Sequence, residues 1–378
     1  MEQILSSDVD WENITEIIPF GYGRIGRRVI KKLKENFKIP FIIDNNPKWQ
    51  EEETSVDILP FDQAKDYIRD RKIVVLTTDL PYISIKALLL KHGYRENSDF
   101  YILSKFIGEW YMKCKNQLCI SKIDTIITSR CTLSCPHCAM YIPQCKNKMD
   151  YPIEELCRNF DIVFSAIDYI VEYSLFGGEP LIYKDLASLI EYLMDNYGRR
   201  IGRLVLISNG KANLSEELLD TLKKYDVMIA ISNYVHFNDY SDIQKRLVSQ
   251  LDDREIEYSF NDELEWKDMG YPDRPANIPN CAARKHFKTC GHSTFCINNG
   301  ILYFCDAMFG AEVNTGYNTK DSDVVNIRKY IQKYGLAEVK ERIFQYIQGD
   351  INELGCPSFC QQCKGVGADN VDVILAGS

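Results

Sequence analysis

The sequence predicts an α/β protein in three parts, with a central run of strand–helix units forming a parallel sheet or barrel. Three observations predict it. Short apolar runs alternate with helix-patterned stretches over residues 122–260, the signature of a parallel sheet. A shorter alternation with a glycine-rich turn occupies residues 1 to 110. The fourteen cysteines form two groups, with none between 158 and 280.

In the first part, "ITEIIPFG" reads as a strand, "GYGRIG" as a turn, "RRVIKKLKENF" as a helix and "IPFIIDNNP" as a second strand. "KIVVLTTD" and "DFYILS" add two strands around the helix "ISIKALLLKHG". Gly21, Gly23 and Gly26 thus stand between a strand and a helix, and Asp44 ends the next strand. A dinucleotide-binding unit puts its phosphate turn and ribose acid at such places. Two readings stay open: a bound nucleotide, or glycines that serve only a tight turn and close packing in a docking module.

In the central part, "KIDTIITS", "IVEYSLFGG", "RLVLISNG", "DVMIAISNY" and "EIEYSF" read as strands with helices between them. Catalytic groups of parallel barrels gather where strands end. Cys131–Cys138, Gly177–Pro180, Ser208–Gly210 and Ser232–Tyr234 all lie there. In the last part, "STFCINNGILYFCDAM" is a hairpin turning at Asn298–Gly300. "CPSFCQQCKG" is a tight knuckle, and Arg284, Lys285 and His286 read as a solvated basic turn.

Composition limits the function classes. A formal charge of −9 disfavours a nucleic-acid partner. The absence of a long apolar run disfavours a membrane span, and the N-terminus lacks a secretion-signal pattern. A cytoplasmic setting follows as the expectation, in which clustered cysteines serve metals or chemistry before disulfides.

"CTLSCPHC" spaces Cys131, Cys135 and Cys138 as C-x3-C-x2-C. Structural zinc takes four ligands, and Cys145 or His137 is the available fourth. A cubane iron–sulfur cluster also takes four thiolates. Three leave one iron open to an outside ligand. The stretch resembles the radical S-adenosylmethionine (SAM) superfamily, with His137 as the aromatic residue before the third cysteine. "FGGEP" at 176–180, "SNG" at 208–210 and "ISNY" at 231–234 match that family's later strand-end motifs in order. The resemblance implies a partial (β/α)6 TIM-like barrel. It also implies a 4Fe–4S cluster on Cys131, Cys135 and Cys138, with SAM on the open iron and cleaved to a 5′-deoxyadenosyl radical. Gly177, Gly178, Glu179, Ser208, Asn209 and Ser232 are then SAM contacts.

Cys290, Gly300 and Cys305 follow C-x9-G-x4-C, and Cys360-x2-Cys363 comes later. This resembles the SPASM/Twitch extension of radical SAM enzymes. It implies one auxiliary 4Fe–4S cluster on Cys290, Cys305, Cys360 and Cys363, with Cys356 able to replace Cys360. Cys296 is then spare: a hairpin packing residue or a hydrogen-atom donor.

Residues 19–47 resemble the nucleotide-sugar-binding domain of bacterial sugar acyltransferases. This implies a carbohydrate substrate, dehydrogenated or epimerised, with a nucleotide or nucleotide sugar near Gly21, Gly23, Gly26 and Asp44. A flavodoxin- or ferredoxin-type protein would supply electrons. The expected domains are 1–112, Rossmann-like; 113–265, the radical SAM barrel; and 266–378, the Twitch-type extension. The competing readings are a ribosomal-peptide-modifying SPASM-like enzyme and a non-catalytic, metal-stapled binding protein.

Overall fold

A computed structural model describes residues 9–51, 54–77, 79–234, 240–262, 265–290, 294–367 and 369–377. Residues 1–8, part of the N-terminal stretch read above, lie outside the described residues. The chain divides into two compact units, 1–121 and 122–378.

In the first unit, apolar runs become strands because helices cover both faces of a parallel sheet. The strands are β1 (Ile17–Phe20), β2 (Phe41–Ile43), β3 (Asp57–Leu59), β4 (Lys72–Val75) and β5 (Phe100–Ile102). They pair in parallel in the order β3-β2-β1-β4-β5. The order reverses at β1, so the turn after β1 opens at the switch point where such sheets take ligands. That turn leads into the helix Arg24–Leu33, which buries Gly26, Val29, Ile30 and Leu33 at helical spacing. Gly26 is required by close packing: a Cβ there would stand 2.1 Å from the Gly21 carbonyl oxygen. β3 escapes the sequence reading, since three residues ending before Pro60 carry no pattern.

The second unit is built on an eight-stranded sheet. Its strands are β6 (Cys119–Thr128), β7 (Tyr169–Gly177), β8 (Ile201–Ser208), β9 (Met228–Ser232) and β10 (Tyr258–Asn261), with β12 (Phe295–Asn298), β13 (Ile301–Tyr303) and β14 (Val325–Asn326). β11 (Glu265–Lys267) and β15 (Val373–Leu375) form a separate antiparallel pair. The large sheet runs β10-β9-β8-β7-β6-β12-β13-β14. β7, β8, β9 and β10 pair in parallel, and β12 lies parallel to β6. The sheet has free ends at β10 and β14, so the barrel is partial and open. The helix Ile153–Ala166 shows why the alternation holds, burying Leu156, Phe160, Val163 and Phe164 along one stripe.

The β12–β13 hairpin turns on Asn299 and Gly300, both left-handed (φ 52° and 69°), as a two-residue hairpin turn requires. Because β12 joins β6, the cysteine-rich extension continues the main sheet. The expected basic turn at Arg284–His286 is instead part of a helix, Asn280–Thr289. Pro279 caps its start in extended backbone, and its carbonyl accepts from the Ala282 and Ala283 N–H groups, each at 3.0 Å. Among the described residues no helix is long and apolar enough to cross a membrane.

Candidate active site

The loop that follows β6 is closed at its base. Thr128 bridges Asp150, the Ser129 N–H donates to the Met149 carbonyl at 2.9 Å, and Arg130 pairs with Asp150 at 2.8 Å. The end of β7 is bound to the same loop: the Gly178 and Glu179 N–H groups donate to the carbonyls of Thr128 and Arg130, each at 2.8 Å. A Cβ on Gly178 would lie 1.9 Å from the Arg130 oxygen, and one on Gly177 2.1 Å from that of Thr128. Gly177 also holds φ at 148°, a conformation open to glycine. The two glycines therefore dock β7 against the cysteine loop.

Within the loop, Cys131, Cys135 and Cys138 are partly buried. Burial pushes all three thiols up, Cys135 to about 11, and Cys131 and Cys138 oppose charge on Cys135. Polar donors are aimed at the sulfurs. The Leu133 N–H lies 3.4 Å and Asn209 Nδ2 3.5 Å from the Cys131 Sγ. The N–H groups of Ile142, Met140 and Tyr141 favour charge on Cys138. Three thiols sharing N–H donors fit a cluster that needs its sulfurs as thiolates. Among the described residues no three His, Cys, Asp or Glu stand close enough to hold a single metal ion. A cubane places each thiolate on its own iron, so its ligands stand farther apart than those of one zinc.

Glu179 is fully buried and its carboxylate accepts three hydrogen bonds: Leu181 N–H at 3.0 Å, Ser208 Oγ at 2.8 Å and Asn209 N–H at 2.7 Å. Burial outweighs these bonds and pushes it up to about 7. It ties the ends of β7 and β8 together, and through Asn209, which also bonds Thr132 at 3.0 Å, reaches the cysteine loop. Ser232 ends β9 and is hydrogen-bonded to Tyr234. Charge on the three thiols adds to burial in raising the Tyr234 hydroxyl. Tyr234 packs with Ala376, Leu133 and Trp266. His137 is exposed and borders a cavity of about 30 Å³, shared with Tyr141 and residues Asp268–Arg274.

The second set comes from three segments. Cys290 caps the helix Asn280–Thr289, Cys305 follows β13, and Cys360 and Cys363 stand on the knuckle. Burial raises Cys305, Cys360 and Cys363, the last to about 12. After burial, Cys360 is opposed by Cys305, Cys363, Cys356 and Cys290, and Cys305 by Cys363 and Cys290. The four thiols therefore lie within electrostatic reach of one another. Cys356 is buried as well, but burial, Arg284 and Asp323 set its shift.

Cys296 is fully buried opposite Asp124 and donates to Asn298 Oδ1 at 3.3 Å. Burial keeps its thiol protonated, with Asp306 and Asp124 adding to the effect. Those acids form a buried pair that the sequence reading missed. Asp124 is pushed up to about 6 by burial, and Asp306 is pushed well above the ordinary carboxyl range by burial and by Asp124. The signal was Lys122 and Asp124, two charged residues on one face of a central strand.

In the first unit, Asp44 is engaged by the backbone: Tyr22 N–H at 2.7 Å and Asn46 N–H at 2.8 Å. It anchors the glycine turn to the end of β2. Tyr22 packs edge-on to Trp49, and the Arg27 guanidinium and Lys48 ammonium each lie 4.8 Å from the Trp49 ring centre. A Cβ on Gly23 would meet nothing within 4 Å.

Residues 125–248 match the Radical SAM superfamily. The chain carries a radical SAM domain. Among solved structures it is similar to BtrN in complex with AdoMet and 2-DOIA, at 18% identity over 65% of this chain and 93% of that one, TM-score 0.43. It is similar to native anSMEcpe with bound AdoMet at 14% identity, over 66% and 91%, TM-score 0.38. Streptococcus suis SuiB bound to precursor peptide SuiA aligns at 12% identity, over 69% and 78%, TM-score 0.29. No curated protein sequence matches the chain.

Proposed function

We propose that the protein is a radical SAM enzyme that removes a hydrogen atom from a sugar-type substrate, nucleotide-linked or free, and dehydrogenates or epimerises it. The observation that carries the chemistry is the docking of the β7 and β8 ends, through Gly178, Glu179 and Asn209, onto a loop with three thiols and N–H donors at their sulfurs. Cys131, Cys135 and Cys138 would hold a 4Fe–4S cluster, and Cys290, Cys305, Cys360 and Cys363 an auxiliary one that takes up single electrons. When bound, the first cluster and SAM supply a 5′-deoxyadenosyl radical. The backbone at Gly177 and Gly178, with Ser208, Asn209 and Ser232, would border SAM, and Glu179 would hold that border in place. His137 lies on the outer side of the loop.

The sugar reading is supported by the first unit. A parallel sheet with a glycine turn at its switch point, and Trp49 flanked by Arg27 and Lys48, suits a nucleotide base and phosphate. Lys146 and Lys148 are exposed on the cysteine loop, in a chain of net −9. An acidic one-electron carrier of the flavodoxin or ferredoxin type fits that face. A reducing cytoplasm suits fourteen unpaired cysteines.

The test is deuterium transfer. Full-length protein, reconstituted anaerobically with iron and sulfide, is given SAM, a reductant and deuterated nucleotide sugars or free aminocyclitols. Label in 5′-deoxyadenosine is expected; SAM cleavage that proceeds without label from any carbohydrate, but with label from a peptide, would overturn the sugar reading. Cys296 separates the two outcomes. A buried, protonated thiol is suited to returning a hydrogen atom, so Cys296→Ala stops an epimerase after radical formation and leaves a dehydrogenase turning over.

A further inference from the structure

His286 sits one helical turn before Cys290 on the helix Asn280–Thr289 and is 8% exposed. Its Nδ1 bonds the Asp369 carboxylate at 3.0 Å, and among the described residues its Nε2 has no partner in the protein. The loop after Cys363 is moulded to the ring. A Cβ on Gly365 would lie 2.3 Å from both Cε1 and Nε2 of His286 and 3.0 Å from the Cys290 Sγ. The free edge of the imidazole and the thiol thus border one point. The Gly365 N–H also donates to the Cys363 Sγ at 3.2 Å, and Asn370 Nδ2 holds the Gly365 carbonyl at 2.7 Å. A Cβ on Gly367 would lie 2.1 Å from the Thr289 carbonyl. No side chain fits between this loop and the end of the helix.

A carboxylate that orients a histidine beside a metal site fixes its tautomer and strengthens its dipole. The groups that border cluster sulfurs help to set the reduction potential of the cluster. We propose that His286, held by Asp369, is a positioning residue of the auxiliary site: it braces Cys290 and turns its imidazole edge to the thiol set, so that it helps to hold the group bound there and to set that group's reduction potential. This rests on the auxiliary-cluster reading above.

The test uses full-length protein in which Cys131, Cys135 and Cys138 are all changed to Ala, so that any remaining cluster is the auxiliary one. Iron content comes first, and iron absent from this protein overturns the auxiliary-cluster reading itself. With iron present, the reduction potential is measured by titration followed by electron paramagnetic resonance, and iron loss to a chelator is timed. His286→Gln is expected to shift the potential and to speed iron loss about tenfold, the usual scale for such supporting residues. Asp369→Asn, which keeps the imidazole but loosens it, shifts both the same way by less, and it carries the test if His286→Gln fails to fold. The exposed Lys288, changed to Ala on the same helix, shifts neither. Potential and iron loss unchanged in both the His286 and Asp369 variants would overturn the role of His286 and leave the cluster reading standing.

Discussion

The two cysteine sets of the second unit are built in opposite ways. Cys131, Cys135 and Cys138 come from one eight-residue stretch, held from outside by the ends of β7 and β8. Cys290, Cys305, Cys360 and Cys363 come from a helix end, a hairpin and a knuckle. A single loop can present three ligands and leave one side open, which suits a site that admits a second molecule. A set drawn from three segments closes around whatever it holds and joins those segments. The first set is therefore separable from the fold, and the second is part of it.

The largest effect follows from the first set. Cys131→Ala is expected to bring reductive SAM cleavage down to background, while roughly half the iron stays, four per remaining cluster, and the melting temperature barely moves. Undiminished 5′-deoxyadenosine formation would break the assignment of the loop. Cys363→Ala is expected to do the reverse. It keeps SAM cleavage, loses about half the iron, abolishes product and lowers the melting temperature by several degrees, because helix, hairpin and knuckle come apart. Equal melting temperatures for the two variants would remove the contrast between an open and a closing set.

The first set was legible in the sequence because its information is local. Spacing along one loop and the strand-end positions of Gly177–Glu179 and Ser208–Asn209 needed only the alternation of apolar runs. The Asn299–Gly300 turn was legible for the same reason. What depended on distant pairing was not. β11 joins β15 across more than a hundred residues, a pairing that no local pattern announces. Asp306 meets Asp124 from the far end of the chain, and His286 gains its role from Asp369 and Gly365. The choice between Cys356 and Cys360 is likewise a matter of which thiol turns toward the other three, and both spacings permit it.

A middle-sized effect tests how the first set is held. Glu179→Ala leaves the Leu181 and Asn209 N–H groups and the Ser208 hydroxyl without an acceptor. Each buried unsatisfied group costs about 1–3 kcal/mol, so a total of about 3 kcal/mol is expected in chemical denaturation. The wild-type group also sets a pH slope. Its folded-state value, about 7, is raised above the ordinary 4.5, so between those values the folded protein holds a proton that the unfolded chain has released. Stability therefore falls as pH rises through that window, by about 1.4 kcal/mol per unit at most. Asp124, raised to about 6, slopes the same way, so the measurement is the difference between wild type and Glu179→Gln. The variant is expected to show the shallower slope; equal slopes would mean that Glu179 stays ionised in the folded state.

The smallest effect decides the membership of the second set. Cys356 is fully buried, and after burial its thiol responds to Arg284 and Asp323. Cys360 is the thiol that Cys305, Cys363 and Cys290 all oppose. Cys356 then acts as a small packing residue behind the knuckle, and Cys356→Ala removes one sulfur from a close-packed site. The expected cost is about 1 kcal/mol, at the low end for large-to-small core changes, with iron content and potential unaltered. Cys360→Ala in parallel should lose the auxiliary iron. If the iron losses were reversed between the two variants, Cys356 would be the ligand. The closing set would then be centred one helical turn earlier on the chain, nearer Arg284.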